Sequence, residues 1–125
     1  MNILLDTHIL LWHLMDDPRL NEEKSQIIEN PQHNKFFSIA SLWEIAIKSS
    51  IGKLHIQQSI ETIVPREVAI LDIKLPHIKQ VQQLPFHHRD PFDRIIIAQA
   101  IYEKFTIMSD DKSFQDYDIE LCTGK

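Results

Sequence analysis

The chain is short of the residues that mark several large classes of protein, and each shortage excludes one. A single cysteine, Cys122, leaves no internal disulfide and no thiolate cluster for zinc. It reads as a small apolar filler near the C-terminus rather than a nucleophile. Two glycines and six prolines lie scattered, with no low-complexity tract, internal repeat or linker-like shift in composition. No apolar run approaches the roughly 18 residues of a membrane span, so no membrane partner is expected. The opening MNILLDTH has no basic segment and meets an acid at Asp6, so it reads as a first strand rather than a secretory signal. A cytoplasmic location is the expectation. Excess positive charge is missing too: the formal net charge is -5, which is not the footprint of a protein that coats nucleic acid. Any polyanion must be attracted locally, by a patch of cations or by divalent metal held on carboxylates.

What is present suits one soluble globular domain. A length of 125 residues is enough for one core and too little for two ordinary domains, so a single domain over residues 1-125 is expected. Short apolar runs alternate with helical segments. Strands are expected at Asn2 to Leu5, Phe36 to Ile39, Ala69 to Ile73, Thr106 to Met108 and, weakly, Ile119 to Cys122. Helices are expected over Thr7 to Met15, Leu20 to Asn30, Ser41 to Ile51, Ser59 to Ile63, Pro76 to Gln83 and Phe92 to Lys104. Gly52 closes the third of these, and Pro76 suits the first position of the fifth. The alternation predicts an α/β domain with a mainly parallel central sheet and helices on both faces. In such sheets, ligands bind beyond the carboxyl ends of the strands.

Acids gather at that rim. Asp6 follows the first strand, and Asp110-Asp111 follow Thr106 to Ser109. Glu44 lies one turn into the helix after Phe36 to Ile39, on roughly one face with Ser41 and Lys48. Asp93 sits in the first turn of the helix opened by Asp90-Pro91. Each acid also has a plainer reading. Asp6 before Thr7 suits an N-cap, Asp90-Pro91 with an acid at N3 has the shape of a capping box, Glu44 could be a solvated acid, and Asp111 could be a turn residue. Taken together they would repel one another and raise each other's pKa values unless something neutralises them. A divalent cation does so, and carboxylate oxygens without histidine or thiolate suit Mg²⁺ or Mn²⁺ rather than zinc. The seven histidines show no H-E-x-x-H spacing and read as polar or RNA-facing residues. Carboxylates holding Mg²⁺ point to hydrolysis of a phosphodiester.

Four segments, ILLDTHILLW, SLWEIAIK, HHRDPFDRIIIAQA and IMSDDKSF, span almost the whole chain. In this order and spacing the chain resembles the PIN-domain ribonucleases, and within them the VapC-type toxins of type II toxin–antitoxin systems. The resemblance implies a PIN-like fold and a metal-dependent endoribonuclease whose catalytic, metal-binding acids are Asp6, Glu44, Asp93 and Asp111. The family's usual Thr-x-Asp is Ser109-Asp110-Asp111 here, so Ser109 keeps the hydroxyl and Asp111 takes the acid's role. It also implies an RNA substrate, a cognate antitoxin protein that covers the acidic pocket, and a homodimer.

Lys48, Arg89, Arg94 and Lys112 each lie within a few residues of one of these acids. They are either solvated ion pairs or contacts for RNA phosphates, with His87 and His88 beside them. The first helix, THILLWHLM, is apolar almost all round, so part of it is expected either in the core or against another chain, with Trp12 a candidate for such a surface. Two rival readings remain. An aspartate-nucleophile phosphatase would need an acid two residues after Asp6, where His8 stands. A receiver-like or protein-interaction module would use the acids only as caps.

Overall fold

The computed structural model describes residues 1–87 and 89–122. β1 (Asn2–Leu5) forms because Ile3, Leu4 and Leu5 of the sequence NILL hide their side chains on both faces of a sheet. Ile3 and Leu5 enter one core with Phe37 and Met108, while Leu4 enters a second core with Phe36 and Ile107. This alternation is the period of two expected of a strand, applied to a sheet covered on both sides.

The element order is β1, α1 (Thr7–Leu14), α2 (Glu22–Glu29), β2 (Asn34–Ser38), α3 (Ile39–Ser50), β3 (Val68–Leu71), α4 (Leu75–Gln83), α5 (Pro91–Glu103) and β4 (Thr106–Met108), followed by a 3₁₀ helix at Lys112–Asp116. The sheet runs β3-β2-β1-β4 and all its strand pairs are parallel. β1 is therefore central. The chain builds outward from it to β2 and β3, then crosses over and returns to add β4 on the other side. Helices α1, α2 and α3 supply Leu10, Ile28 and Ile45 to one core, and α5 supplies Ile96, Ile97 and Ala100 to the other.

Several boundaries have clear local causes. Asn21 caps α2 by accepting from Lys24 N, and Asp90 caps α5 ahead of Pro91. Gly52, at φ +76, lets the chain turn away after α3 at no steric cost.

Three expectations are corrected. Ser59 to Ile63 is a set of turns, not a helix. Five residues barely outlast the nucleation of one turn, and Ser59 and Thr62 bond to each other through their side chains at 3.0 Å. Ile119 to Cys122 forms only an isolated bridge, Leu121 to Ile107, rather than a strand. Pro76 is the second residue of α4, after Leu75. The first helix gives part of its apolar surface to the core: Ile9, Leu10 and Leu11 are buried, Trp12 packs partly against them beneath the Arg19 guanidinium, 4.9 Å from its ring centroid, and Met15 beyond the helix is exposed. No described helix is long and apolar enough to cross a membrane.

Candidate active site at the carboxyl rim of the sheet

The centre of the rim is Asp6, the residue after central strand β1. Its backbone N–H donates to Met108 O at 3.0 Å, so β1 and β4 stay paired to the last residue before the acid. The side chain does two things. Oδ1 accepts from Thr7 N at 2.7 Å, capping α1, and Oδ2 accepts from the Ser109 hydroxyl at 2.8 Å. The residue is 5 % exposed. Burial pushes the Asp6 carboxyl above its ordinary value of 3.8, against the lowering effects of Ser109, Thr7 N and His8, and the nearby Glu44 charge pushes it further up.

Glu44 is equally sequestered, at 4 % exposed. Thr7 Oγ1 lies 2.9 Å from Glu44 Oε1 and 2.8 Å from Ser41 Oγ. With only one hydrogen, the threonine hydroxyl donates to the carboxylate, and the serine hydroxyl then donates to the threonine. Ser41 and Glu44 share one face of α3, the helix entered from β2, as their spacing of three requires. The other carboxylate oxygen, Oε2, accepts from Lys48 Nζ at 2.9 Å. The hydrogen bond that Lys48 donates to Glu44 is the main reason that its ammonium holds its proton above the usual lysine value, and the charges of Asp90 and Asp93 add to it. Lys48 thus links the α3 acid to those at the start of α5. Trp43 and Phe92, the residues preceding Glu44 and Asp93, meet edge to face at 5.2 Å and hold the two helices together beside the acids.

At α5, Asp90 Oδ1 accepts from Phe92 N at 2.8 Å and from Asp93 N at 3.4 Å. That cap starts the helix and places Asp93 at its third position, partly buried. Asp111 lies on the outer side of the rim. Its N–H donates to Ser109 Oγ at 3.0 Å, and its Oδ1 accepts from Ser113 N and Oγ at 3.0 and 2.7 Å, starting the 3₁₀ helix.

The hard-oxygen donors suit a divalent cation such as Mg²⁺ or Mn²⁺. Asp6, Glu44 and Lys48 with Asp93 form a connected group, and Ser109 joins Asp6 to the turn that bears Asp111. Their oxygens are not turned to one point, however. Among the described residues no three acids, histidines or cysteines are grouped closely enough to ligate one ion. The Asp6, Glu44 and Asp111 carboxylates are each satisfied by a neighbouring hydroxyl, amide or ammonium, and mutual repulsion opposes closer approach.

The cations divide into two kinds. Lys48 is at the rim, and Arg89 and Lys112 are exposed. Arg94 instead supports the fold, donating to Pro85 O at 3.1 Å and Val81 O at 3.3 Å and so closing the end of α4. His87 is exposed, and His88 lies outside the described residues. His77, by contrast, is fully buried: Nδ1 accepts from Lys74 N at 3.0 Å, which leaves the Nε2 hydrogen to bond Glu103 at 2.8 Å. This histidine joins α4 to α5. Sequence reasoning also missed Lys24, a buried lysine on α2 paired with Asp110. Nothing in its EEKSQ context signals burial.

With this geometry in place, the comparison with known families is decisive: the PIN domain profile matches residues 3–120. The chain belongs to the PIN domain family. The PIN fold extends to solved structures of low sequence identity. VapBC2 from Rickettsia felis, bound to a DNA fragment from its promoter, matches with a TM-score of 0.73 at 15% identity, covering 98% of each chain. VapBC-1 from nontypeable Haemophilus influenzae gives 0.68 at 20% identity, over 99% of this chain and 98% of that one. A toxin–antitoxin complex from Klebsiella pneumoniae gives 0.62 at 20% identity, over 98% of each. No curated protein sequence matches the chain.

Proposed function

We propose that this PIN domain is a Mg²⁺- or Mn²⁺-dependent endoribonuclease, acting as the toxin of a type II toxin–antitoxin pair. The observation that carries the reading is the buried Asp6–Thr7–Ser41–Glu44 cluster at the carboxyl end of the central strands. A carboxylate pair withdrawn from water at that location, with hydroxyls spent on orienting it, is costly for a fold unless it serves chemistry. Asp6, Glu44, Asp93 and Asp111 are the residues that would hold the cation. When bound, such a cation supplies Lewis-acid activation of water and neutralises charge developing on the phosphate.

The protein's own side chains do the rest. Ser109 and Thr7 set the orientation of Asp6 and Glu44, and Asp90 starts the helix that presents Asp93. Lys48, Arg89 and Lys112 offer local positive charge for RNA phosphates on a chain that is acidic overall. An antitoxin partner is supported by the likeness to toxin–antitoxin complexes. A homodimer is part of the same reading; Trp43 and Ile51, both about three-fifths exposed on one side of α3 and its end, provide apolar surface for it.

The test is metal-dependent cleavage of RNA by purified protein. Activity that requires Mg²⁺ or Mn²⁺ and disappears in Asp6→Ala and Asp93→Ala, with the fold intact, is the expected result. Undiminished cleavage in both variants would overturn it. One specific observation favours the rival interaction module: Asp6, Asp90 and Asp111 each cap a helix. Absence of both Mn²⁺ binding and cleavage in clean preparations would select that reading.

A further inference from the structure

We infer that Lys24 is a positioning residue for the outer part of the site: by pairing with Asp110 it anchors the turn after β4 that carries Ser109 and Asp111. The inference rests on the reading of Asp6 and Asp111 as metal ligands. It also separates the two adjacent acids: Asp110 is tied to α2, and Asp111 to the start of the 3₁₀ helix.

Lys24 is 7 % exposed, although it is a lysine on a short helix with two glutamates before it. An ammonium in that position requires a partner. The partner is Asp110, 86 residues further along the chain. Asp110 stands between two residues with other duties. Ser109 Oγ donates to Asp6 Oδ2 and accepts from Asp111 N, and the Asp111 carboxylate starts the 3₁₀ helix. Three consecutive residues are therefore tied to three different places: Ser109 to the central acid, Asp110 to α2, and Asp111 to the helix that follows. The Lys24 pair is the contact that holds the middle of this turn to another element. It also commits Asp110 to α2 rather than to the metal-binding set.

Two explanations of an effect at Lys24 predict opposite signs. If Lys24 acted only through its electric field, removing its charge would strengthen cation binding and removing the Asp110 charge would weaken it. If the pair acts as an anchor, removing either partner misplaces Ser109 and Asp111, and both variants weaken binding.

The experiment uses the full chain stripped of metal, with Mn²⁺ as the probe. Calorimetric titration is run beside residue-resolved amide exchange on the wild type, Lys24→Met, Asp110→Asn, the double variant and Lys24→Arg. Lys24→Met and Asp110→Asn are each expected to weaken Mn²⁺ affinity about tenfold, as loss of a residue supporting a ligand typically does. The double variant is no worse than either single variant, because the pair acts as one unit. Lys24→Arg restores binding. Without Mn²⁺, exchange at the Asp111 amide accelerates in both single variants while amides of α4 and α5 keep their wild-type rates. Tighter or unchanged Mn²⁺ binding in Lys24→Met, an additive loss in the double variant, or unchanged exchange at Asp111 overturns the inference. Uniform acceleration along the chain does so as well, since it reports general destabilisation. If Lys24→Met does not fold, Asp110→Asn, altered on the more exposed partner, is read by the same criteria. Failure of the wild type to bind Mn²⁺ would instead defeat the nuclease reading, and the exchange data would still decide whether the anchor exists.

Discussion

The inner and outer parts of the rim are built on different principles. Asp6 and Glu44 are withdrawn from water and held by Thr7, Ser41 and Lys48, on the helices that leave the two central strands, and by Ser109, just after edge strand β4. Asp93 is partly buried and Asp111 exposed, each at the start of a helical segment where an acid would serve even without chemistry. Burial of the Asp6 charge opposes stability even though Asp6 caps α1, and both inner acids sit in an orienting shell, whereas the outer ones begin the structures that carry them. If the proposed chemistry holds, the difference predicts that substitutions at the inner pair cost the most activity and those at the outer pair the least.

The largest expected break in that contrast is Asp6→Asn. RNA cleavage should fall on the order of 10²–10³-fold, as for loss of a central electrostatic group. Metal-free protein should nonetheless melt at a higher temperature, because a buried charge has been replaced by a neutral amide. The pH dependence follows the same sign. The folded-state pKa of Asp6 is raised from 3.8, so in the window above 3.8 the folded chain binds more protons than the unfolded one, and this contribution makes stability fall as pH rises. Thermal melts of metal-free wild type and Asp6→Asn from acid to neutral pH should converge at the acid end and separate toward neutrality. A variant that melts lower at neutral pH would show that the hydrogen bonds to Asp6 outweigh its desolvation.

Thr7→Val comes next. It removes the hydroxyl that donates to Glu44 while keeping the shape, and should lower cleavage about tenfold, the scale seen when support for a ligand is lost. Stability should drop by about 1–3 kcal/mol, because a buried carboxylate oxygen loses its donor. Denaturant titration beside cleavage assays would measure both, and an unaffected rate would assign Thr7 to folding alone.

These two positions also show why the site was only partly legible in the sequence. Asp6, Glu44, Asp93 and Asp111 could be named as candidates because strand ends and helix starts are local patterns. The Asp90-Pro91 start of α5 is legible for the same reason, since an N-cap acid followed by proline acts within a few residues. The pairing of Thr7 with Glu44 joins residues 37 positions apart, and that of Lys24 with Asp110 joins residues 86 apart. No local pattern encodes them. Arg94 looked like a phosphate contact because it adjoins Asp93, yet its direction along α5 turns it onto the carbonyls of Val81 in α4 and Pro85 just after it.

Asp90→Ala is expected to have a smaller effect than Thr7→Val. Losing the cap should cost about 1 kcal/mol, with cleavage reduced through the altered aim of Asp93; circular dichroism melts and the same RNA assay would detect these changes. The smallest effect should come from Ser113→Ala, which removes a hydroxyl from the exposed Asp111 while the Ser113 N–H remains. A change in Mn²⁺ affinity larger than that of Thr7→Val would reverse the assignment of inner and outer parts.

The sequence alone determined the alternation of strands and helices, the α/β class with its parallel sheet, and the helix starts at Asp6 and Asp90, because those depend on apolar periodicity and on bonds within one turn. It also determined which acids stand after strands. Tertiary structure alone decided that Ile9, Leu10 and Leu11 of the apolar first helix belong to the core, that His77 is sealed between α4 and α5, and that Lys24 is buried against Asp110. It also decided that Asp6 and Glu44 share one dry cluster. Burial and long-range pairing depend on which surfaces the sheet order brings together, and that order is a property of the packed chain rather than of any segment.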